Sequence, residues 1–351
     1  MKILHVNFGI LQGGIDNMLM DLMRFQLRQG HIVSLLVVNR LMNENVMSLL
    51  PEGGELYVVG RPESSKNPFY ILKAVYLINT KIKPDLLHCH HGDLGFFLML
   101  DRHPKILTVH AMQLPTKYYK YFDYICCISQ AVMTDVLTRY HTDNISVVYN
   151  SVDYEAINRT RDEFKSNCFN ILTIGRLVHQ DKGQDLVIKA MKILKDKGCS
   201  VHLTLVGNGK SLEYLQKLTN NLQLMDDVTF LGERRRDWIY QHMCEYDLLV
   251  VPSRNEGFGL TIVEGVFAGL PVLVSDIDGP REVVQDGKYG YIFKSDSEHS
   301  LANQIEQISS KSRNTLKEEN ERNVAYYKTH FNSCFMAETY LSVYRKLLDI
   351  K

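Results

Sequence analysis

The segment VVPSRNEGFGLTIVEGVFAGLPVLVSD, residues 250–276, holds the densest group of side chains able to do chemistry. An apolar run ends at Pro252, and a polar loop follows with Ser253, Arg254, Asn255 and Glu256. Gly257, Phe258 and Gly259 then open a helical pattern that carries Glu264. Glycines at a helix start let a ligand approach unpaired backbone N–H groups, where the helix dipole favours an anion such as phosphate. Glu256 and Glu264 stand eight residues apart, slightly more than two helical turns, so both can face one cleft if Glu256 sits at the helix mouth. Carboxylates without metal ligands nearby accept hydrogen bonds from sugar hydroxyls. The same pattern also suits a capped helix with surface glutamates.

A second group lies in ILTIGRLVHQDKGQDLVIKA, residues 171–190. A strand pattern ends at Gly175, Arg176 follows at once, and Lys182 with Gly183 stands at the start of the next helical pattern. Arg as a planar fork and Lys as a point charge would clamp a diphosphate. Two solvated loop charges give the same letters. In LTLVGNGKS, Gly209, Lys210 and Ser211 spell the end of a nucleotide-triphosphate loop, but its first glycine would fall on Thr204 inside a strand, so that loop is not expected. Leu212 likewise takes the third glycine position of a dinucleotide fingerprint. What remains is a tight turn at Gly207, Asn208 and Gly209.

In the first half, Gly13 and Gly14 precede a helical pattern from Asp16 to Gln29 and offer another anion-receiving backbone. His88, His90, His91 and His110 gather after two strand patterns. No acidic residue stands beside them at convincing ligand spacing, so no metal is expected and these histidines are read as cleft-lining or core groups. The stretch PTKYYKYFDY, Pro115 to Tyr124, sets Lys117 and Lys120 among aromatics. It suits either a helix with aromatics packed inward or contact with a sugar acceptor or lipid headgroups.

Short apolar runs alternating with helix-length amphipathic stretches position these residues, a pattern that predicts parallel sheets covered by helices. Strands are expected at 2–7, 32–38, 56–59, 86–89, 105–109, 124–128 and 146–148, and again at 169–174, 201–206, 228–231, 248–251 and 271–274. The charged, unperiodic stretch Asn158 to Asn167 is the expected linker. The fold class is therefore α/β with two Rossmann-like, doubly wound domains facing a central cleft. Their expected bounds are 1–160, which would bind the acceptor, and 168–325, which would bind the donor, with helices at 326–351 packed at the domain junction. Ligands in such sheets sit beyond the carboxyl ends of the strands.

At 351 residues the chain has room for two domains. Forty basic against forty acidic residues leave a net charge of zero, which disfavours nucleic acid as a partner. Seven scattered cysteines without zinc spacing suit a reducing cytosol. No secretory leader or membrane span is expected, so the predicted location is cytoplasmic, with peripheral contact at the cytoplasmic face of the membrane as an alternative.

Together these segments resemble the retaining glycosyltransferases of family four, which have the GT-B fold. The resemblance covers nearly the whole chain: Gly13 and Gly14, LLHCHHG, LTVHA, CISQ, VYNSVD, GRL with DKG, LVGNG, PSRNEGFGLTIVEG, AGLPVLVSD and GPREVVQDGKYGYIF. The run EGFGLTIVE reproduces the family's paired glutamates. The resemblance implies that Arg176 and Lys182 hold the donor diphosphate, that Glu264 binds the ribose, and that Glu256 contacts and positions the donor sugar. It implies that the backbone at Gly257, Phe258, Gly259 and Leu260 meets sugar and phosphates, with Gly14 doing so from the other domain. His110 would lie against the donor sugar near the reacting centre, so Glu256, His110, Arg176 and Lys182 form the catalytic group. Asn208 and its neighbouring glycines would lie around the nucleobase. Asp276 and Asp278 spell the DxD metal motif of the other major glycosyltransferase fold, but their late position reads as loop polarity.

The resemblance implies a metal-independent enzyme without cofactor. It would move a hexose or N-acetylhexosamine from a nucleotide sugar, most simply a UDP-sugar, to a saccharide or lipid-linked oligosaccharide in O-antigen or capsule synthesis. Alternatives are an epimerase of the same fold acting on nucleotide sugars, or a noncatalytic nucleotide-sugar-binding partner subunit.

Overall fold

The computed structural model describes residues 1–11, 13–40, 48, 50–63, 65–160 and 168–349. Two compact units divide the chain, one of residues 1–152 with 331–351 and the other of residues 153–330. In the first, strands β1 (Lys2–Asn7), β2 (Ile32–Asn39), β3 (Glu55–Arg61), β4 (Leu86–Cys89), β5 (Lys105–Val109), β6 (Tyr124–Cys127) and β7 (Ile145–Val147) form one sheet in the order β3-β2-β1-β4-β5-β6-β7. In the second, β8 (Phe169–Ile174), β9 (Val201–Val206), β10 (Val228–Gly232), β11 (Leu248–Val251), β12 (Val272–Ser275) and β13 (Tyr291–Phe293) run β10-β9-β8-β11-β12-β13. Every pairing in both sheets is parallel.

Parallel strands buried on both faces need continuous apolar runs, and β4, β5, β6, β11 and β12 are buried at every residue. Fully burying each Val, Leu or Ile contributes about 1.5–3 kcal/mol, which drives the collapse of both sheets. In the first unit Leu19, Met20 and Met23 of the Gly14–Arg28 helix pack on Val33, Leu35 and Val37 of β2. In the second, Leu186, Val187, Met191 and Leu194 of the Gln184–Asp196 helix join Leu203, Leu205 and Val250.

The units divide at 152/153 and 330/331, apart from the expected 160 and 325. Asn158 N–H donates to the Tyr240 carbonyl at 3.0 Å and Arg159 Nε donates to the Phe267 carbonyl at 3.0 Å, so the start of the expected linker is tied into the second unit. Residues 161–167 of that linker lie outside the described residues. At the other end, the Arg313–His330 helix belongs to the second unit, and only the Ser333–Leu347 helix returns to the first. Its tyrosines Tyr340 and Tyr344 are buried there. Strand β13 was not among the expected strands; at three residues it offers too short an apolar run to stand out.

Candidate active site

Each sheet reverses its winding order once, between β1 and β4 in the first unit and between β8 and β11 in the second. Loops that follow the strands on either side of such a point leave a crevice at the carboxyl edge, the usual ligand position in open α/β sheets. Most residues singled out from the sequence follow the strands that flank these points, while Asn208 and His110 follow the next strand out, β9 and β5. Arg176 and Lys182 follow β8, Asn208 follows β9, and Glu256 through Leu260 follow β11, all in the second unit. Gly13 and Gly14 follow β1, and His110 follows β5, in the first.

In the second unit Lys182 Nζ donates to Glu256 Oε2 at 2.5 Å, with both side chains about three-quarters covered. Arg176 is exposed beside them in sequence, on the loop leaving β8. Lys182 does not open the long helix as expected; it closes a one-turn helix, His179–Lys182, and Gly183 then starts Gln184–Asp196. That break is forced by packing. A Cβ at Gly183, whose φ is +65°, would lie 2.0 Å from the Pro252 carbonyl oxygen, so only glycine lets the β8 loop touch the β11 loop and bring Lys182 to Glu256.

Arg254 fixes this contact. Its Nη1 and Nη2 donate to the two Asp185 carboxylate oxygens at 2.7 and 3.1 Å, Nη1 also reaches the His179 carbonyl at 2.6 Å, and Nε donates to Asp296 Oδ1 at 2.5 Å. Burial pushes the Asp185 carboxyl up, but the Arg254 and Lys189 contacts outweigh it and hold it below its ordinary range. Sequence reading placed Arg254 in a polar loop without a role; the signal was an acidic residue in the first turn of the facing helix.

The turn at Gly207, Asn208 and Gly209 proves to be a backing for Arg176. A Cβ at Gly207 (φ +140°) would meet the Gly175 carbonyl oxygen at 2.0 Å. The Leu177 N–H donates to the Asn208 carbonyl at 2.9 Å, and Ser211 N–H to the Leu177 carbonyl at 3.0 Å. Ser211 Oγ accepts from the His179 N–H at 3.1 Å. The Gly-Lys-Ser letters thus serve a loop-to-loop contact, and Lys210 points to solvent.

Gly259, at φ +95°, caps the Leu260–Phe267 helix without a side-chain cap, which leaves its first backbone N–H groups to other partners. Phe258 is buried, and Glu264 accepts from Tyr240 OH at 3.2 Å. Asp276 takes two hydrogen bonds from Ser295 and Asp278 begins the Asp278–Val283 helix, consistent with a structural use of both acids.

In the first unit the Gly14–Arg28 helix also starts without a side-chain cap, behind exposed Gly13 and Gly14. Asp16, in its first turn, accepts from the Leu11 N–H at 3.0 Å and so holds the β1 loop. Burial lifts the Asp16 carboxyl to about 6.

The histidines form a buried chain that includes two residues not foreseen, His5 and Gln26. His5 pairs in register with His88 across β1 and β4. From Gln26 Oε1 the chain runs to His5 Nε2 (2.8 Å), from His5 Nδ1 to His90 Nε2 (3.0 Å), and from His90 Nδ1 to His110 Nε2 (3.2 Å). On the other side Gln26 Nε2 donates to Tyr344 OH (3.2 Å), which meets His88 Nδ1 at 2.6 Å, while His88 Nε2 meets Thr108 Oγ1 at 2.7 Å. His5, His88 and His90 have ring nitrogens within 4.8 Å of one another, a spacing a metal could use. Yet both nitrogens of each ring are engaged in these hydrogen bonds, so the cluster is satisfied without an ion. Burial pushes the His5 imidazole down to about 4 and His110 to about 3, and drives His88 and His90 well below their ordinary value. The signal in the sequence was a histidine inside the apolar first strand and a glutamine in the apolar stripe of the first helix.

The Pro115–Tyr124 stretch forms only a short turn, Tyr119–Tyr121, and not the expected helix. Tyr119, Phe122 and Tyr124 are buried. Lys117 and Lys120 lie over the half-buried rings of Tyr118 and Tyr121, 5.0 and 5.3 Å from the centroids.

Residues 156–328 match the model of the glycosyl transferases group 1, and residues 12–156 match that of glycosyltransferase family 4. An uncharacterized glycosyltransferase of Methanocaldococcus jannaschii is 30% identical over 241 residues, 63% of this chain and 64% of that protein. The match thus spans somewhat under two thirds of that relative's length. A GDP-mannose-dependent alpha-(1-6)-phosphatidylinositol monomannoside mannosyltransferase of Mycobacterium tuberculosis is 30% identical over 145 residues, 39% of this chain and 37% of that protein. Anabaena HepE, solved in complex with UDP-glucose, has the same fold with a TM-score of 0.81 and 22% identity over 99% of this chain and 100% of its own. This chain belongs to the group 1 glycosyltransferases, with two Rossmann-like domains of the GT-B class.

Proposed function

We propose that this chain is a retaining glycosyltransferase that moves a hexose or N-acetylhexosamine from a UDP-sugar to a saccharide acceptor. The observation that carries this reading is the meeting of Lys182 and Glu256 at 2.5 Å, at the point where the second sheet reverses order. Breaking a bond from nucleotide to sugar develops negative charge on the diphosphate. Arg176, Lys182 and the uncapped Leu260–Phe267 helix supply fixed positive potential to receive it. Glu256, drawn to Lys182, accepts a hydrogen bond from the sugar, and Glu264 from the ribose. These residues supply the charge compensation that a divalent metal would otherwise give.

For retention, the acceptor oxygen bonds to the anomeric carbon on the face from which the diphosphate leaves. The bond from anomeric carbon to phosphate oxygen breaks, and the acceptor hydroxyl's proton passes to that departing oxygen. The glycines at 13 and 14 receive phosphate and His110 the sugar on the side of the first domain. Asn208 contributes to the nucleobase surroundings. HepE is solved with UDP-glucose and the mycobacterial relative uses GDP-mannose, so the base is the first thing to test. Incubation with a panel of UDP- and GDP-sugars, acceptors and EDTA should give turnover of a UDP-sugar with the anomeric configuration kept. Absence of any donor turnover, or an inverted product, contradicts the reading; acceptor-independent conversion between free nucleotide sugars would favour an epimerase.

We further propose a lipid-linked oligosaccharide of O-antigen or capsule synthesis as the acceptor, met by a protein working in the cytoplasm at the membrane surface. Among the described residues no helix is long and apolar enough to cross a membrane. The Phe69–Leu77 helix does expose Phe69, Leu72 and Tyr76 along one face. Such a stripe favours contact with an apolar layer. Flotation with vesicles of anionic lipid should carry the protein and should fail for Leu72→Glu; equal flotation of both removes the membrane surface from this reading.

A further inference from the structure

The buried histidine chain of the first unit has a polarity, and one side chain sets it. Gln26 turns its carbonyl oxygen toward His5 Nε2 and its amide nitrogen toward Tyr344 OH. An amide oxygen only accepts, so His5 carries its proton on Nε2. A neutral imidazole has a single N–H, so His5 Nδ1 accepts and the proton in the next contact belongs to His90 Nε2. The same step repeats: His90 Nδ1 accepts, His110 Nε2 donates, and His110 Nδ1 is left with a lone pair. That nitrogen is buried and has no partner among the described residues. Burial lowers the affinity of all four rings for a second proton, which keeps each at one N–H near neutral pH.

We propose that Gln26 is a positioning residue: acting through His5 and His90, it holds His110 as the Nε2–H tautomer and so prepares Nδ1 to accept a hydrogen bond from a hydroxyl of the bound sugar. This rests on the reading that the chain takes a nucleotide sugar. An orphaned buried acceptor destabilises the free protein, and a donating hydroxyl relieves that cost on binding. Reversing the Gln26 amide would reverse every step and place a proton on His110 Nδ1, which a hydroxyl would then meet with its own lone pair. The glutamine, remote from the ligand, thus decides whether His110 reads a hydroxyl as donor or acceptor. An apolar residue at position 26 would leave the chain without a preferred sense.

Long-range nitrogen-15 correlation spectra of the full chain with labelled histidine test this directly, His110 being assigned by its loss in His110→Ala. The proton should sit on Nε2 of His110 in the wild type, and Gln26→Leu should show His110 as a mixture of tautomers. A wild-type proton on Nδ1, or a single unchanged tautomer in Gln26→Leu, overturns the proposal; the wild-type spectrum decides even if the variant fails to fold. Donor sugars each lacking one hydroxyl test the ligand. At one position the wild type should lose about tenfold in kcat/KM, and His110→Ala should make that loss vanish. If the tautomer is as stated but no such position exists, the hydroxyl contact is wrong while the enzyme reading stands. Failure to turn over any intact donor instead removes the reading in the preceding subsection.

Discussion

The two units solve the same topological problem with opposite electrostatics. Each is a parallel sheet that reverses order once and gathers its polar residues at that point. The second unit places ions there, Lys182 against Glu256 and Arg254 against Asp185, with the long side chains left partly in water. The first places neutral imidazoles there, fully enclosed and linked through one amide. A partly exposed cation can meet an anion; a buried imidazole gives up its second proton and can only make directed hydrogen bonds. On the proposed function, the difference teaches that one fold, used twice in a chain, divides recognition into charge on one sheet and hydroxyl geometry on the other.

The comparison breaks most readily at Lys182. Lys182→Ala should lower transfer about 10²–10³-fold, the scale for removing one group that stabilises developing charge. Thermal melting should stay nearly unchanged, because the side chain is not part of a core. Wild-type rates in that variant would show that the second unit's charge does not serve the leaving group.

Next in size is the loop contact that carries Arg176. Gly207→Val puts a side chain against the Gly175 carbonyl and should destabilise the protein by about 2–4 kcal/mol in urea unfolding. Donor affinity should fall with it. An unshifted unfolding midpoint would mean the two loops are not locked together.

Acidification sharpens the contrast from the other side. The unfolded chain protonates its histidines near 6.5, whereas native His5 resists until about 4 and His110 until about 3. Their contribution to stability is therefore complete above pH 6.5 and is lost as pH falls toward 4. The loss amounts to several kcal/mol, since each tenfold drop in proton affinity on folding is worth about 1.4 kcal/mol. Asp16 acts oppositely: its carboxyl is raised from 3.8 to about 6, so its contribution is present below 3.8 and fades as pH rises to 6. It offsets the histidines only in part. Urea unfolding at pH 7.5 and pH 5 should give a clearly lower midpoint at pH 5; equal midpoints would mean the imidazoles are not buried neutral.

Arg254→Ala should cost about 2 kcal/mol by leaving the covered Asp185 carboxylate without its fork. The smallest effect belongs to Lys210, which faces solvent beside the Gly207 turn. Lys210→Ala should change stability by less than about 0.5 kcal/mol and transfer by less than about twofold. A large loss of activity there would restore a phosphate role to the Gly-Lys-Ser letters.

Much of this was legible in the sequence, and for a physical reason. Buried parallel strands are written as short, mostly apolar runs, so Lys2–Asn7, Leu86–Cys89, Lys105–Val109, Phe169–Ile174, Val201–Val206 and Leu248–Val251 could be read to the residue. The glutamate pair, Arg176 and Lys182 stood out through the resemblance of EGFGLTIVE and of GRL with DKG to the family, since their spacing alone equally suits a capped helix and solvated loop charges. Local pattern could not show what depends on distant segments. Nothing near Gly183 in the sequence tells of Pro252, and nothing near His5 tells of Gln26 and His90. The crossing between units at 152 and 330 was hidden for the same reason: a charged stretch looks like a linker until Arg159 and Asn158 find carbonyls far along the chain.

The central claim is that the charges of the second unit bind the diphosphate of a nucleotide sugar. Calorimetric titration of the wild type and Lys182→Ala with UDP, and in parallel with GDP, in the presence of EDTA, tests it most directly. The account predicts that the wild type binds UDP without metal and that Lys182→Ala weakens this at least tenfold, about 1.4 kcal/mol. Equal affinity in the two proteins, or no binding of either nucleotide, would contradict it.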